Sequence, residues 1–167
     1  MNLRFVFNLF LFFSFTPVQG KSQNKSFDRS TFYKVIKSGN AEEIDAQIKI
    51  VKGSLIPEKE AYEGTLLMKR SDLFSKAKDK LNMFKSGRSK LESSISKDSD
   101  NTEYRFLRLI IQEHAPRVVK YRNELEKDSK WIQSNFNGLS QFLQHLIIDY
   151  SKESKVLKIP SSQFSIP

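Results

Sequence analysis

Cysteine is absent from this chain, and three possibilities go with it: a disulfide scaffold, a thiolate metal site and a lipid-modified amino-terminal cysteine. Histidine is nearly absent. His114 and His145 stand 31 residues apart (145 − 114), outside any HxxxH or HExxH arrangement, so a transition-metal site would have to be built from carboxylates. Glycine (6) and proline (5) are sparse, and neither a glycine-rich phosphate loop nor a serine nucleophile elbow can be read. After the first twenty residues no stretch reaches the roughly 18 apolar residues of a membrane span. No segment alternates polar and apolar residues between hairpin turns, which leaves helices.

What remains is charge and helical periodicity. The 167 residues carry a net charge of +9, with 28% charged residues, the profile of one globular domain. The opening stands apart from it. Residues 1–4 are a short positive segment, residues 5–15 an apolar run interrupted by Asn8 and Ser14, and Pro17 breaks that run. Val18-Gln19-Gly20 then precedes Lys21 with small-residue chemistry suited to cleavage between Gly20 and Lys21. Residues 1–20 are therefore expected to be a secretory signal peptide, and the protein to be exported, periplasmic or secreted, with no transmembrane segment after cleavage. Cleavage removes Arg4 and no acid, leaving +8. A domain of this size buries roughly two-thirds of its unfolded surface without staples.

Residues 21–29 read as a flexible polar lead-in, and 30–150 as the helical domain. Phe32, Val35 and Ile36 mark a first helix that Ser38-Gly39 ends. Asn40 with Glu43 forms a capping box for a second, striped by Ile44, Ile48 and Val51. Pro57 opens a third, with Glu58 and Glu60 in the first turn, where carboxylates suit the helix dipole. Gly64 in its interior costs about 1 kcal/mol against alanine, which close approach of another helix would offset. Residues 71–76 link it to a fourth helix, whose Ala77, Leu81, Phe84, Arg88, Leu91 and Ile95 share one face.

Asp98-Ser99-Asp100-Asn101 stops that helix. On the fifth, Tyr104, Leu107 and Ile111 form a stripe flanked by Phe106, Leu109 and Ile110, and only Arg105, Arg108 and Gln112 give it a wet edge. A helix apolar on most sides belongs in the middle of the fold. His114-Ala115-Pro116 ends it. After a connector, Asn123 with Glu126 signals a sixth helix bearing Leu125, Ile132 and Phe136, and Ser140 caps a seventh bearing Phe142, Leu143, Leu146, Ile147 and Tyr150. Residues 151–167 lose periodicity and are expected to fray, with Phe164 and Ile166 as side chains able to dock.

Residues 91–109, LESSISKDSDNTEYRFLRL, resemble the junction between two tetratricopeptide repeats. Gly87, Leu91, Ser94 and Ser99 occupy that family's small, large, small and proline positions. Ser99 replaces the usual proline, Arg105 stands where a tryptophan is common, and Gly64 serves as the close-packing glycine if about three helical turns are inserted. The chain also resembles exported bacterial proteins with a Lys-Asp-Pro-Asp-Asn-type turn, to which no activity attaches. The fold class is all-α: about seven helices in antiparallel hairpins, either a short tetratricopeptide-like array or an irregular bundle.

Candidate chemistry is thin. His145 and Asp149 suit a solvated i,i+4 pair. Serine, histidine and carboxylates do not converge, so no catalytic residue is assigned, and no cofactor or metal is called for. Arg88 is the anomaly, a cation in an apolar stripe. Its stem packs while the head snorkels, or it pairs with Glu63 or Glu113, or it lines a concave groove. Lys85, Arg88, Arg105 and Arg108 are the candidate anion- or partner-binding residues, within a basic series running from Lys76 to Arg122. That series reads as a solvated face or as a surface for anionic envelope polymer, lipid headgroups or an acidic protein. The lack of interleaved aromatics argues against nucleic acid. The expected function is a non-enzymatic interaction module holding a protein or peptide partner in an inter-helix groove. The alternatives are a basic envelope protein binding anionic polymer or lipid, and an enzyme whose site is assembled from distant residues.

Overall fold

Four short polar side chains set the helix starts. In the structure, a computed structural model that describes residues 26–160, Asp28, Asn40, Asn101 and Ser140 each accept a hydrogen bond from a first-turn backbone N–H, meeting donors a helix cannot satisfy itself. The helices they open are α1 (Arg29–Ser38), α2 (Ala41–Gly53), α5 (Thr102–His114) and α7 (Gln141–Glu153). Between them lie α3 (Lys59–Ser71), α4 (Ala77–Lys97) and α6 (Leu125–Asn135). The described residues contain seven α-helices and no strand. The expected leader and its cleavage point, Gly20 and Lys21, lie outside the described residues, as do Phe164 and Ile166.

The turns follow their residues. Gly39 takes a left-handed conformation (φ 66°) that ends α1, its N–H donating to the Val35 carbonyl, and Asn40 starts α2 at once. Glu43, the distal member of the expected capping box, donates its N–H to the Asn40 side chain, but its carboxylate accepts from the Ser38 hydroxyl instead. Asn123 does not cap α6. That helix begins at Leu125 behind Glu124, with no side-chain cap.

Two glycines bring α3 and α4 into backbone contact. A Cβ on Gly64 would stand 2.6 Å from the Gly87 carbonyl oxygen and 2.9 Å from the Leu91 nitrogen. One on Gly87 would stand 2.5 Å from the Gly64 carbonyl oxygen and 2.8 Å from the Met68 nitrogen. Close approach of the main chains at this crossing lets Leu66, Met68 and Leu91 bury completely or nearly so, and such burial offsets the helix-propensity cost of both glycines.

Helix α5 sits at the centre. Every residue from Thr102 to Gln112 is buried, including the three expected to face water. Arg105 is 7% exposed, Arg108 5% and Gln112 1%. The wet edge is thus corrected. Helix α6 covers it, and wholly buried Asp128 meets both guanidiniums, with Arg108 Nε and Nη2 each 2.7 Å from its oxygens and Arg105 Nη1 3.3 Å away. A charge left alone there would be very costly, so the two arginines and the aspartate specify how α6 packs on α5.

Both ends of the helical domain reach further than the sequence suggests. Phe27 stacks on Tyr62 with centroids 5.0 Å apart, and Arg29 bridges Glu58 and Glu103, so the lead-in is structured from these residues on. Beyond Tyr150, α7 runs to Glu153, and the following segment folds back as a strap with Leu157 and Ile159 in the core. Glu113 at the end of α5 holds it, accepting from the Tyr150 and Ser154 hydroxyls and from the Lys155 N–H. The Ser129 hydroxyl and the Gln133 amide on α6 donate to the carbonyls of Val156 and Lys158. Residues 151–160 therefore do not fray. Two buried apolar side chains, the Glu113 carboxylate and the α6 donors hold them in place.

Candidate functional site

Three helices with apolar residues at helical spacing leave a gap between them. Tyr33 and Ile36 face it from α1, Phe106, Ile110 and His114 from α5, and Phe142, Leu146 and Tyr150 from α7. The spacings of three and four keep each set on one face. The gap is a groove of about 320 Å³, at the lower end of the size range of small-ligand sites.

Aromatic rings build its floor. Tyr33 lies 6.1 Å from Phe106 and 6.2 Å from Phe142, and Phe106 meets Tyr150 edge to face at 5.5 Å, all between centroids. One buried and one half-buried carboxylate fix two of these rings from behind. Glu103 accepts from the Tyr33 hydroxyl at 2.9 Å and from the Tyr62 hydroxyl at 2.8 Å, while Glu113 accepts from Tyr150 at 2.8 Å. Burial, followed by the Glu103 charge, pushes the Tyr33 phenol well above its ordinary value, and burial with the Glu113 hydrogen bond does the same for Tyr150. Both are therefore neutral donors at physiological pH. Burial raises the Glu113 carboxyl, but hydrogen bonds from Ser154, the Lys155 backbone and Tyr150 outweigh it and leave it below the usual range. The rings thus form a preformed floor.

The rim is charged. Lys34, Lys37, Lys69, Asp149 and Glu153 surround the opening, and Lys37 reaches Glu153 across it at 3.5 Å with both side chains largely exposed. His114 Nδ1 lies 3.0 Å from the Ile110 carbonyl, so that nitrogen carries a proton used within α5. No group of three or more candidate metal ligands is present among the described residues.

The four cations singled out from sequence do not line this groove. Lys85 and Arg88 are exposed on α4. Arg88 snorkels: its guanidinium lies 4.6 Å above the Tyr121 ring, a cation–π contact. Its expected acidic partners are engaged elsewhere, Glu63 with Lys52 and Lys90 and Glu113 with the strap. Arg105 and Arg108 are buried and saturated. Arg105 donates to the Ser99 carbonyl through Nε and Nη2 and stacks 4.3 Å over Trp131. Arg108 pairs with Asp128 and, at 2.9 Å, with Glu92. Burial alone would lower the Arg108 pKa, but Asp128 and Glu92 outweigh it and raise it. These donors face inward, away from any ligand in solvent.

Among the groove residues, Phe142, Leu146 and Tyr150 are legible in sequence as a strongly amphipathic face. That this face is left partly uncovered is not, because it depends on how far α1 stands from α7. No family model, curated protein or solved structure matches the chain.

Proposed function

We propose that this protein is an exported, non-enzymatic helical interaction module that holds a segment of another polypeptide in the groove between α1, α5 and α7. The observation that carries this reading is the aromatic floor beneath an open, charged rim. A bulky apolar side chain from a partner, fully buried there, would contribute about 1.5–3 kcal/mol, and rim charges of both signs would orient the flanking peptide. Because carboxylates behind the floor already hold the rings, little side-chain entropy is lost on binding. What supports the tetratricopeptide-like reading is the close Gly64–Gly87 crossing, which fits that pattern once about three helical turns are inserted, together with the turn at Asp98–Asn101.

The test is site-specific photocrosslinking in the native cell, with a benzophenone side chain at position 146 in the groove or at position 130 on the exposed face of α6. A polypeptide adduct from position 146 that Phe142→Ser abolishes, and that position 130 does not give, is the expected result. No adduct at 146, or the same adduct from both positions, refutes the groove.

A further inference from the structure

The end of the molecule where α3 turns into α4 combines features that no groove requires. Residues 72–83, which run through the link and into the second turn of α4, are all exposed or half-buried. Leu73, just past the end of α3, is 45% exposed and Leu81 40%, although the stripe of Leu81 is covered further along α4 at Phe84, Leu91 and Ile95. Lys76, Lys78 and Lys85 beside them are exposed and Lys80 is half-buried. None of the four joins an ion pair among the described residues, in contrast to Lys52 and Lys90, which pair with acids in the first turns of α3. Asp72 and Asp79 are the acids within this stretch, so the tip is net positive.

A second segment meets it. Helices α3 and α4 run antiparallel, with Gly64 against Leu91 and Met68 against Gly87. Helix α5 returns antiparallel to α4 after the turn at 98–101, so α3 and α5 end on the same side. The connector after α5, held against α4 by Tyr121 packing on Phe84 at 5.7 Å, brings Val118, 85% exposed, between Arg117 and Lys120.

From this juxtaposition we infer that the α3–α4 tip and the connector after α5 form a membrane-contact surface that seats the protein on a bilayer rich in anionic headgroups. Charge complementarity selects the partner. Unpaired lysines are drawn to an anionic surface, and each contributes appreciably within a Debye length of it. The exposed leucines and valine select a bilayer over a soluble polyanion, because apolar side chains gain from the acyl boundary and gain nothing from a hydrated acidic polymer. No described helix is long and apolar enough to cross a membrane, so the contact is one of surface seating. It lies apart from the floor of the groove and does not depend on that groove having an occupant.

Every core residue named above lies between Phe27 and Ile159, and the chain from Lys21 onward contains them all. It is the form to test, because the apolar run at residues 5–15 would enter lipid by itself. Cosedimentation with phosphatidylcholine vesicles is compared with vesicles in which a third of the lipid is phosphatidylglycerol, at about 50 mM and about 500 mM salt. Binding is expected only to the anionic vesicles and only at low salt. The pair Lys76→Glu and Lys78→Glu should weaken it at least about twentyfold, and Leu73→Ser with Leu81→Ser about tenfold. The pair Lys59→Glu and Lys97→Glu, at the other end of the bundle, should leave it within about threefold. Circular dichroism confirms that each variant is folded. The inference is overturned if no form sediments with anionic vesicles, or if the distant lysine pair matters as much as the tip pair. It is also overturned if the leucine variant binds like the parent and soluble polyphosphate competes fully, which would assign the surface to an acidic polymer.

Discussion

Replacing Gly87 by alanine tests the crossing on which the fold is assembled. The new Cβ would stand 2.5 Å from the Gly64 carbonyl oxygen, against about 3.4 Å for ordinary contact, and 2.8 Å from the Met68 nitrogen. The helices must therefore separate by about 0.9 Å (3.4 − 2.5). The atoms in the way are main chain, which cannot rotate aside as a side-chain end could. Overpacking of this kind costs up to about 3 kcal/mol, and alanine returns about 1 kcal/mol of helix propensity. The net is about 2 kcal/mol of destabilisation, or about 4–8 °C in Tm for a chain of this size. Gly53→Ala is the internal control, since its Cβ meets nothing within 4 Å, and it should be neutral or stabilising by up to about 1 kcal/mol. Thermal and urea unfolding followed by circular dichroism measure both. The Gly64→Ala, Gly87→Ala double variant should cost less than the sum of the singles, because one separation of the helices serves both new methyl groups. If Gly87→Ala unfolds at or above the parent Tm, the main-chain contact is not what holds α3 against α4.

Other perturbations test the polar core. Asp128→Asn leaves Arg105 and Arg108 without their shared buried anion and should cost about 3–5 kcal/mol, read from the urea midpoint. Arg88→Leu removes only an exposed cation–π contact and should change stability by less than about 1 kcal/mol. Glu113→Gln should free the strap, lowering stability at pH 7 by about 1–2 kcal/mol and raising hydrogen exchange at 155–158. Because hydrogen bonding holds the folded Glu113 pKa below its ordinary 4.5, that carboxylate's contribution is complete above pH 4.5 and disappears as pH falls through the lower folded value. The gap between parent and variant should therefore close in acid. Tyr33, Tyr62, Tyr121 and Tyr150 are all raised above 10.0, so their contribution persists up to pH 10 and is lost above it. Tyrosinate absorbance should appear together with the loss of helical signal, not before it.

Residues close in sequence made much of this protein readable in advance. Asn40, Asn101 and Ser140 cap helices because each needs only a backbone N–H three residues on. Gly39 ends α1 by its own conformational freedom. Gly64 and Gly87 mark a close crossing because glycine inside a helix is otherwise a loss. The apolar stripes along α4, α5 and α7 follow from the helical repeat, so the all-α class and the placement of α5 in the middle follow as well.

Arg105 and Arg108 show where local reading stops. Their spacing puts them on one edge of α5, and an isolated helix gives no reason to bury that edge. Only the arrival of Asp128 from α6, with Glu92 from α4, turns a solvated edge into a paired interior, because a buried charge is tolerable only beside its counter-charge. The strap after α7 is similar: its short apolar sequence has no periodicity, and it is ordered by Glu113, about forty residues earlier. The groove and the exposed tip are decided last of all. Periodicity tells which face of a helix is apolar, whereas the distances between α1, α5 and α7 decide whether a neighbour covers it.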